Sequence, residues 1–88
     1  MKWADFRSCL TGKLQATLLR RTGHDFYAVE CDGAVVGRAK VGRHAEMKPW
    51  EIRGSAKDLN LSEHDFRELV SCRISREEFC LRAHSSTG

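Results

Sequence analysis

Apolar residues recur along this chain with two different periods, and the change of period divides it into elements. Trp3, Phe6 and Leu10 are spaced by three and four, as on one face of a helix. Thr11-Gly12 breaks that run, with Gly12 placed to cap it, so a short helix is expected over residues 2–11. Residues 14–41 read as a three-stranded meander. Its first strand, 14–21, leaves open whether the helix instead runs on to about Leu19. Thr22-Gly23-His24-Asp25 is a turn, and Phe26 to Cys31 is rich in aromatic and β-branched residues. Asp32-Gly33 is the favoured pair for a two-residue type I′ hairpin turn, and Ala34 to Val41 returns as the third strand.

A two-residue turn sets Cys31 opposite Ala34, Val29 opposite Val36 and Tyr27 opposite Arg38. Side chains alternate between faces. One face then carries Tyr27, Val29, Cys31, Ala34, Val36, Arg38 and Lys40. The other carries Phe26, Ala28, Glu30, Val35, Gly37, Ala39 and Val41, and is the face expected to be covered by helices.

After a loop at 42–47, Pro49 suits the first turn of a helix whose buried stripe is Ile52, Ala56 and Leu59, with Trp50 packing beside it. A pattern then repeats after thirteen residues: Leu61-Ser62-Glu63-His64-Asp65-Phe66 matches Ile74-Ser75-Arg76-Glu77-Glu78-Phe79. Each serine is an N-cap, and each acid three positions later is placed to reach back as in a capping box. Leu61 with Phe66, and Ile74 with Phe79, form hydrophobic staples. Two short capped helices follow from this, and Ser85-Ser86-Thr87-Gly88 is expected to be a disordered polar tail. Strands followed by helices give an α+β fold: one domain over 1–84, with a short N-terminal helix, a three-stranded antiparallel meander and three C-terminal helices on one sheet face.

Composition narrows the class. With 41% apolar and 31% charged residues, the chain is an ordinary globule, and no apolar run nears the ~20 residues of a membrane-spanning helix. The first residues carry no secretory h-region, so a cytoplasmic setting is expected, with no membrane partner. In that setting Cys9, Cys31, Cys72 and Cys80 are expected to be reduced thiols acting as small apolar side chains. Of the net charge of +3, the excess lies in residues 12–53, with eight Lys/Arg against five Asp/Glu.

Three constellations carry chemistry. His24 and His44 lie near the ends of strands, close to Arg38, Lys40, Arg43 and Tyr27. Two imidazoles among cations suit metal-free RNA cleavage, one removing the 2′-hydroxyl proton and one protonating the leaving oxygen. His64, Cys72, Cys80 and His84 are a candidate metal set with spacings of eight, eight and four; of these only Cys80 and His84 are close, at helical i, i+4 spacing and not as the pair at a tight turn that structural zinc favours, so no metal is expected. Arg20, Arg21, Arg38, Lys40 and Arg43 are placed to track phosphates, with Tyr27 stacking on a base. No Gly-rich phosphate loop, nucleophile elbow or paired-carboxylate motif is present, and no cofactor is expected.

The segments Arg21-Thr22-Gly23-His24-Asp25-Phe26-Tyr27, Cys31-Asp32-Gly33 and Ala39-Lys40-Val41-Gly42-Arg43-His44 resemble two related groups. One is a set of small uncharacterised prokaryotic proteins reading His-x-x-Tyr, Asp-Gly, Thr-Lys-x-Ser and a final Leu-Val-x-Cys, matched here by Leu69-Val70-Ser71-Cys72. The other is the HicA-like mRNA interferases, whose fold is like a double-stranded-RNA-binding domain. In that family a histidine at the start of a strand is catalytic. His24 stands in that position, and His44 is similar to a second histidine after the third strand. This sequence lacks the serine before the first histidine and the proline before the second. The resemblance implies a toxin–antitoxin setting, with RNA as substrate and an antitoxin-like protein, or a second copy, as partner. Two readings follow: a small RNA-binding protein, catalytic or not, and a non-catalytic protein–protein interaction module.

Overall fold

The computed structural model describes residues 1–87, with side chains through Ala83. The elements run α1 (Trp3–Ser8), a π-helical turn (Cys9–Lys13), β1 (Thr17–Arg21), β2 (Asp25–Cys31), β3 (Ala34–Val41), α2 (Pro49–Asp58), α3 (Glu63–Val70) and α4 (Arg76–Thr87). The sheet is antiparallel in the order β1-β2-β3, and the architecture is the expected α+β one. The tail expected from residue 85 is helical as far as Thr87. Gly88 lies outside the described residues.

The first helix neither stops at Gly12 nor runs into the strand. The chain winds wider after Ser8, with Leu14 N–H donating to Cys9 O at 3.0 Å, and drops Leu14 into the core. Gln15 takes the left-handed conformation (φ 49°) that turns the backbone into β1. The first strand therefore starts at Thr17 rather than residue 14, because Leu14 is spent on the core.

The hairpin turn is as expected: Asp32 (φ 53°) and Gly33 (φ 81°) both have positive φ, as a type I′ turn requires. The register is not. Cys31 faces Ala34 and Glu30 faces Val35, but then a β-bulge intervenes and Val29 faces Gly37, Ala28 faces Arg38, and Tyr27 faces Ala39. Val36 is the extra residue. A second bulge at Leu19 shifts β1 against β2, so that Leu18 faces Tyr27 and Arg20 faces Phe26.

The Val36 bulge reverses the expected faces of β2 and leaves Ala39 and Val41 of β3 inward as expected. Tyr27, Val29 and Cys31 of β2 point inward with Ala39 and Val41 of β3, and all five are buried. Phe26, Arg38 and Lys40 point outward. In an unbulged hairpin, Arg38 would be opposite Tyr27 and enter the core. One extra residue prevents that, because side chains alternate with period 2.

Asn60 holds the bulge. It occupies the left-handed position (φ 59°) after α2, and its Nδ2 donates to Val36 O at 2.8 Å. Gly37 lets α2 come this close, since a Cβ there would strike Asp58 O and Leu59. Leu61 N–H donates to Ala56 O and Asn60 N–H to Lys57 O, closing α2 in a Schellman motif. Arg73 N–H to Glu68 O and Cys72 N–H to Leu69 O close α3 the same way, with Cys72 left-handed (φ 65°). Lys13 Nζ reaches across to the carbonyls of Leu69 and Ile74, at 3.1 and 2.8 Å, stabilising the same helix end.

The two serine caps form as expected. Ser62 Oγ accepts from Asp65 N–H at 3.1 Å and Ser75 Oγ from Glu78 N–H at 3.2 Å. Leu61, Phe66, Ile74 and Phe79 are buried, and Phe66 meets Phe6 of α1 edge-on at 5.0 Å. Burying each of these phenylalanines contributes about 1.5–3 kcal/mol. Asp65 and Glu78 turn to Arg82, which donates to both, at 2.6 and 3.0 Å, so α4 is tied to the start of α3. The capping-box acid is instead Glu51 of α2, which accepts from Lys48 N–H at 2.8 Å.

Cys31 and Cys80 are joined in a disulfide across 49 residues, tying the tip of β2 to α4. The expectation of four reduced thiols fails here, because β2 and α4 bring two cysteines, remote in sequence, to a Cα–Cα distance of 5.8 Å. Cys9 is free and buried; Cys72 is free and exposed.

Candidate nucleic-acid interface

Buried residues of all four helices join Tyr27, Val29, Ala39 and Val41 in one core on the inner side of the sheet, while α2 also reaches the β3 edge, where Trp50, Glu51 and Ser55 share a cleft with Lys40 of the outer side. Two cross-strand rows line that outer side: Thr17–Ala28–Arg38, and Arg20–Phe26–Lys40. Ala28, at the centre of the face, is small and buried. Half-buried Phe26 carries the Arg20 guanidinium over its ring, 4.6 Å from the centroid. His24, in the exposed turn before β2, stands edge-on to the same ring at 6.4 Å. Neither row contains an acid. Glu30, near the hairpin turn, is the acid that follows along β2.

Tyr27, expected to stack on a base, is only 4% exposed and belongs to the core. The Val36 bulge is the reason: it turns Tyr27 inward together with Ala39 and leaves Phe26 as the aromatic beside the cations. A warning was present in Val35-Val36-Gly37, two apolar residues and a glycine that interrupt strict alternation. Arg38 and Lys40 are exposed as expected.

The other predicted residues gather at the end of the sheet where β2 begins and β3 ends. Asp25, buried, accepts from Arg7 Nη2 at 3.0 Å and from Arg43 Nη2 at 3.2 Å. Arg43 thereby joins the loop after β3 to α1 through the first residue of β2. Arg21 and His44 border the same shallow cleft.

His44 has two partners at one atom. Trp3 Nε1–H points at His44 Nε2 from 3.0 Å, and Glu51 Oε1 is also 3.0 Å from that nitrogen. An imidazole nitrogen accepts when unprotonated and donates when protonated, so it serves Trp3 or Glu51 but not both at once. Glu51 is held below the usual carboxylate range, first by the Lys48 backbone N–H and then by His44. Gly42 allows this packing, since a Cβ there would lie 2.8 Å from the Trp3 ring.

His24 and His44 share Trp3 and Glu51 as neighbours, His24 through a narrow cleft that also includes Lys40 and Trp50. No hydrogen bond or ring contact joins the two imidazoles. Trp50 does not pack beside the α2 stripe; it is 61% exposed, with Lys48 Nζ 5.7 Å from its ring.

The disulfide takes Cys80 out of the set His64, Cys72, Cys80 and His84. The His84 side chain lies outside those described. Among the described residues, no three His, Cys, Asp or Glu side chains are grouped to hold a metal ion, and no helix is long and apolar enough to cross a membrane. No family model, curated protein or solved structure matches this chain.

Proposed function

We propose that this is a small RNA-binding protein whose contact surface is the outer sheet face. The observation that supports this most is the row Arg20–Phe26–Lys40 beside Arg38, which contains no acid of its own, although α2 brings Glu51 and Asp58 close to Lys40 at the β3 edge. Cations there meet phosphates, and an aromatic ring meets a base. Arg21 extends the positive surface toward the sheet end; Arg43 is largely committed to Asp25.

The catalytic version of this reading, a metal-independent ribonuclease of the toxin–antitoxin kind, rests on His24 as the proton-transfer group, with His44 contributing only when it leaves Trp3. A cytoplasmic setting suits an RNA partner. The Cys31–Cys80 disulfide calls for oxidising conditions, so this reading requires the fold to survive its reduction.

The test is filter binding of RNA across a salt series. Three phosphate contacts to single strands give a log–log slope of about −2. Replacing Arg38 and Lys40 together by Ala should flatten that slope by about 1.4. An unchanged slope and affinity in the double variant would sink the reading. For the catalytic version, His24→Ala must abolish cleavage while the melt stays put.

A second reading, a protein–protein interaction module, is favoured by exposed Leu18 and Leu19 on edge strand β1 and by exposed Trp50. It predicts a dimer or a co-purifying antitoxin-like partner, lost when Leu18 and Leu19 become Ser.

A further inference from the structure

We infer that the outer face takes single-stranded RNA, reading an unpaired base on Phe26, and not a duplex; this rests on the RNA-binding reading above. The carrying feature is where Phe26 sits. It is the middle residue of a row across three strands, with Arg20 on one side and Lys40 on the other. At ordinary strand spacing, Arg20 and Lys40 are about 10 Å apart at their backbones, with the ring midway. A strand laid across the sheet can therefore put a phosphate at each end of the row and the intervening base over the ring.

Phe26 is half-buried between Arg20 and Lys40, both exposed. A half-buried ring touches a base face only when that face is free. In a duplex, both faces of each base are taken by stacking, and the sheet meets only the phosphate ridges. RNA duplexes are read through phosphates and 2′-hydroxyls across about 16 base pairs. The whole molecule extends 32 × 25 × 21 Å, and its outer-face cations are confined to two adjacent rows.

Arg20 completes the arrangement. In the free protein its guanidinium covers the Phe26 ring at 4.6 Å and occupies the place a base would take. Binding exchanges the two: the base moves onto the ring, and the guanidinium turns to the neighbouring phosphate, exchanging a cation–π contact for a charge-assisted hydrogen bond. His24, edge-on to the same ring, forms one wall of the base position.

The experiment compares a fluorescent single-stranded RNA of about eight nucleotides with an RNA duplex of about 16 base pairs, for the wild-type chain, Phe26→Leu and Phe26→Tyr. The expected result is tighter binding of the single strand. Phe26→Leu should then lose about 5- to 160-fold for the single strand, as expected for one stacked base, with no change for the duplex, and Phe26→Tyr should retain affinity. Quenching of 2-aminopurine placed in the strand should accompany binding and be absent with Phe26→Leu. Equal binding of single-stranded DNA of the same sequence also supports the inference, since it too presents a free base between phosphates. A preference for the duplex, or an unchanged single-strand affinity in Phe26→Leu, overturns it while leaving RNA binding intact. No binding of either RNA at low salt overturns both. Thermal melts of the two variants near that of the parent exclude loss of fold as the cause.

Discussion

Replacing Asn60 separates two jobs that one side chain performs. Its backbone is left-handed at the end of α2, and its amide donates at 2.8 Å to the carbonyl of Val36, the extra residue of the β3 bulge. Asn60→Gly keeps the left-handed backbone at no steric cost and removes the hydrogen bond, a loss of about 1 kcal/mol. Asn60→Ala removes the bond and also puts a Cβ in the left-handed region, at a further cost of about 1–2 kcal/mol. The expected losses are thus about 1 kcal/mol for Gly and about 2–3 kcal/mol for Ala. For a domain of this size, each kcal/mol lowers Tm by about 4–8 °C, so the two variants should differ by at least that much. Urea unfolding followed by far-UV circular dichroism measures both losses directly. If Ala costs no more than Gly, the backbone part of the reasoning is wrong. If Gly costs nothing, the bond to Val36 does not hold the bulge.

Three other outcomes are expected. A maleimide should label Cys72 quickly in the native protein and Cys9 only on unfolding, because burial pushes the Cys9 thiol up to about 11; that raised value also makes stability fall as pH climbs from about 9 toward 11, where only the unfolded thiol ionises, a slope that Cys9→Ala should remove in alkaline melts. Reducing the Cys31–Cys80 bond releases a loop of 49 residues and should cost up to about 4 kcal/mol by chain entropy, read as a lower Tm in dithiothreitol that a Cys31→Ser, Cys80→Ser variant no longer shows. Glu51 is held below the usual carboxylate range, so its contribution is present above about pH 4.3 and fades as pH falls through its lower native value; acid melts of Glu51→Gln should converge with the parent there, and a constant gap would contradict it.

The parts of this fold that were legible in sequence are those specified by neighbours in the chain. Ser62 and Ser75 cap their helices because the bond runs three residues on, and Asp32-Gly33 makes its turn from its own backbone preferences. The parts that were not legible depend on distant residues. The bulge at Val36 is satisfied by Asn60, and the disulfide pairs residues that only the packed α4 brings together. Asn60 and Cys72 end their helices in a conformation where glycine is the usual signal, so the two Schellman motifs left little trace. The candidate interface followed the same division. Arg38 and Lys40 are exposed as expected, but the aromatic on their face is Phe26 and not Tyr27, because strict alternation does not hold through Val36. His44 follows β3 as expected, but its double engagement with Trp3 and Glu51 depends on three separate segments meeting.

The β3 bulge also bears on which insertions and deletions the hairpin can absorb. The strand carries one residue more than its pairing needs, so deleting Val35 or Val36 closes the bulge and leaves Gly37, Arg38, Ala39 and Lys40 against the same partners as before. A deletion within Ala28 to Glu30 has no spare residue to draw on, and it sends either the tyrosine or the lysine to the wrong side. Length variation in this sheet is therefore tolerated on one strand and not on its neighbour, a polarity that a scan of single-residue deletions would expose without reference to any ligand.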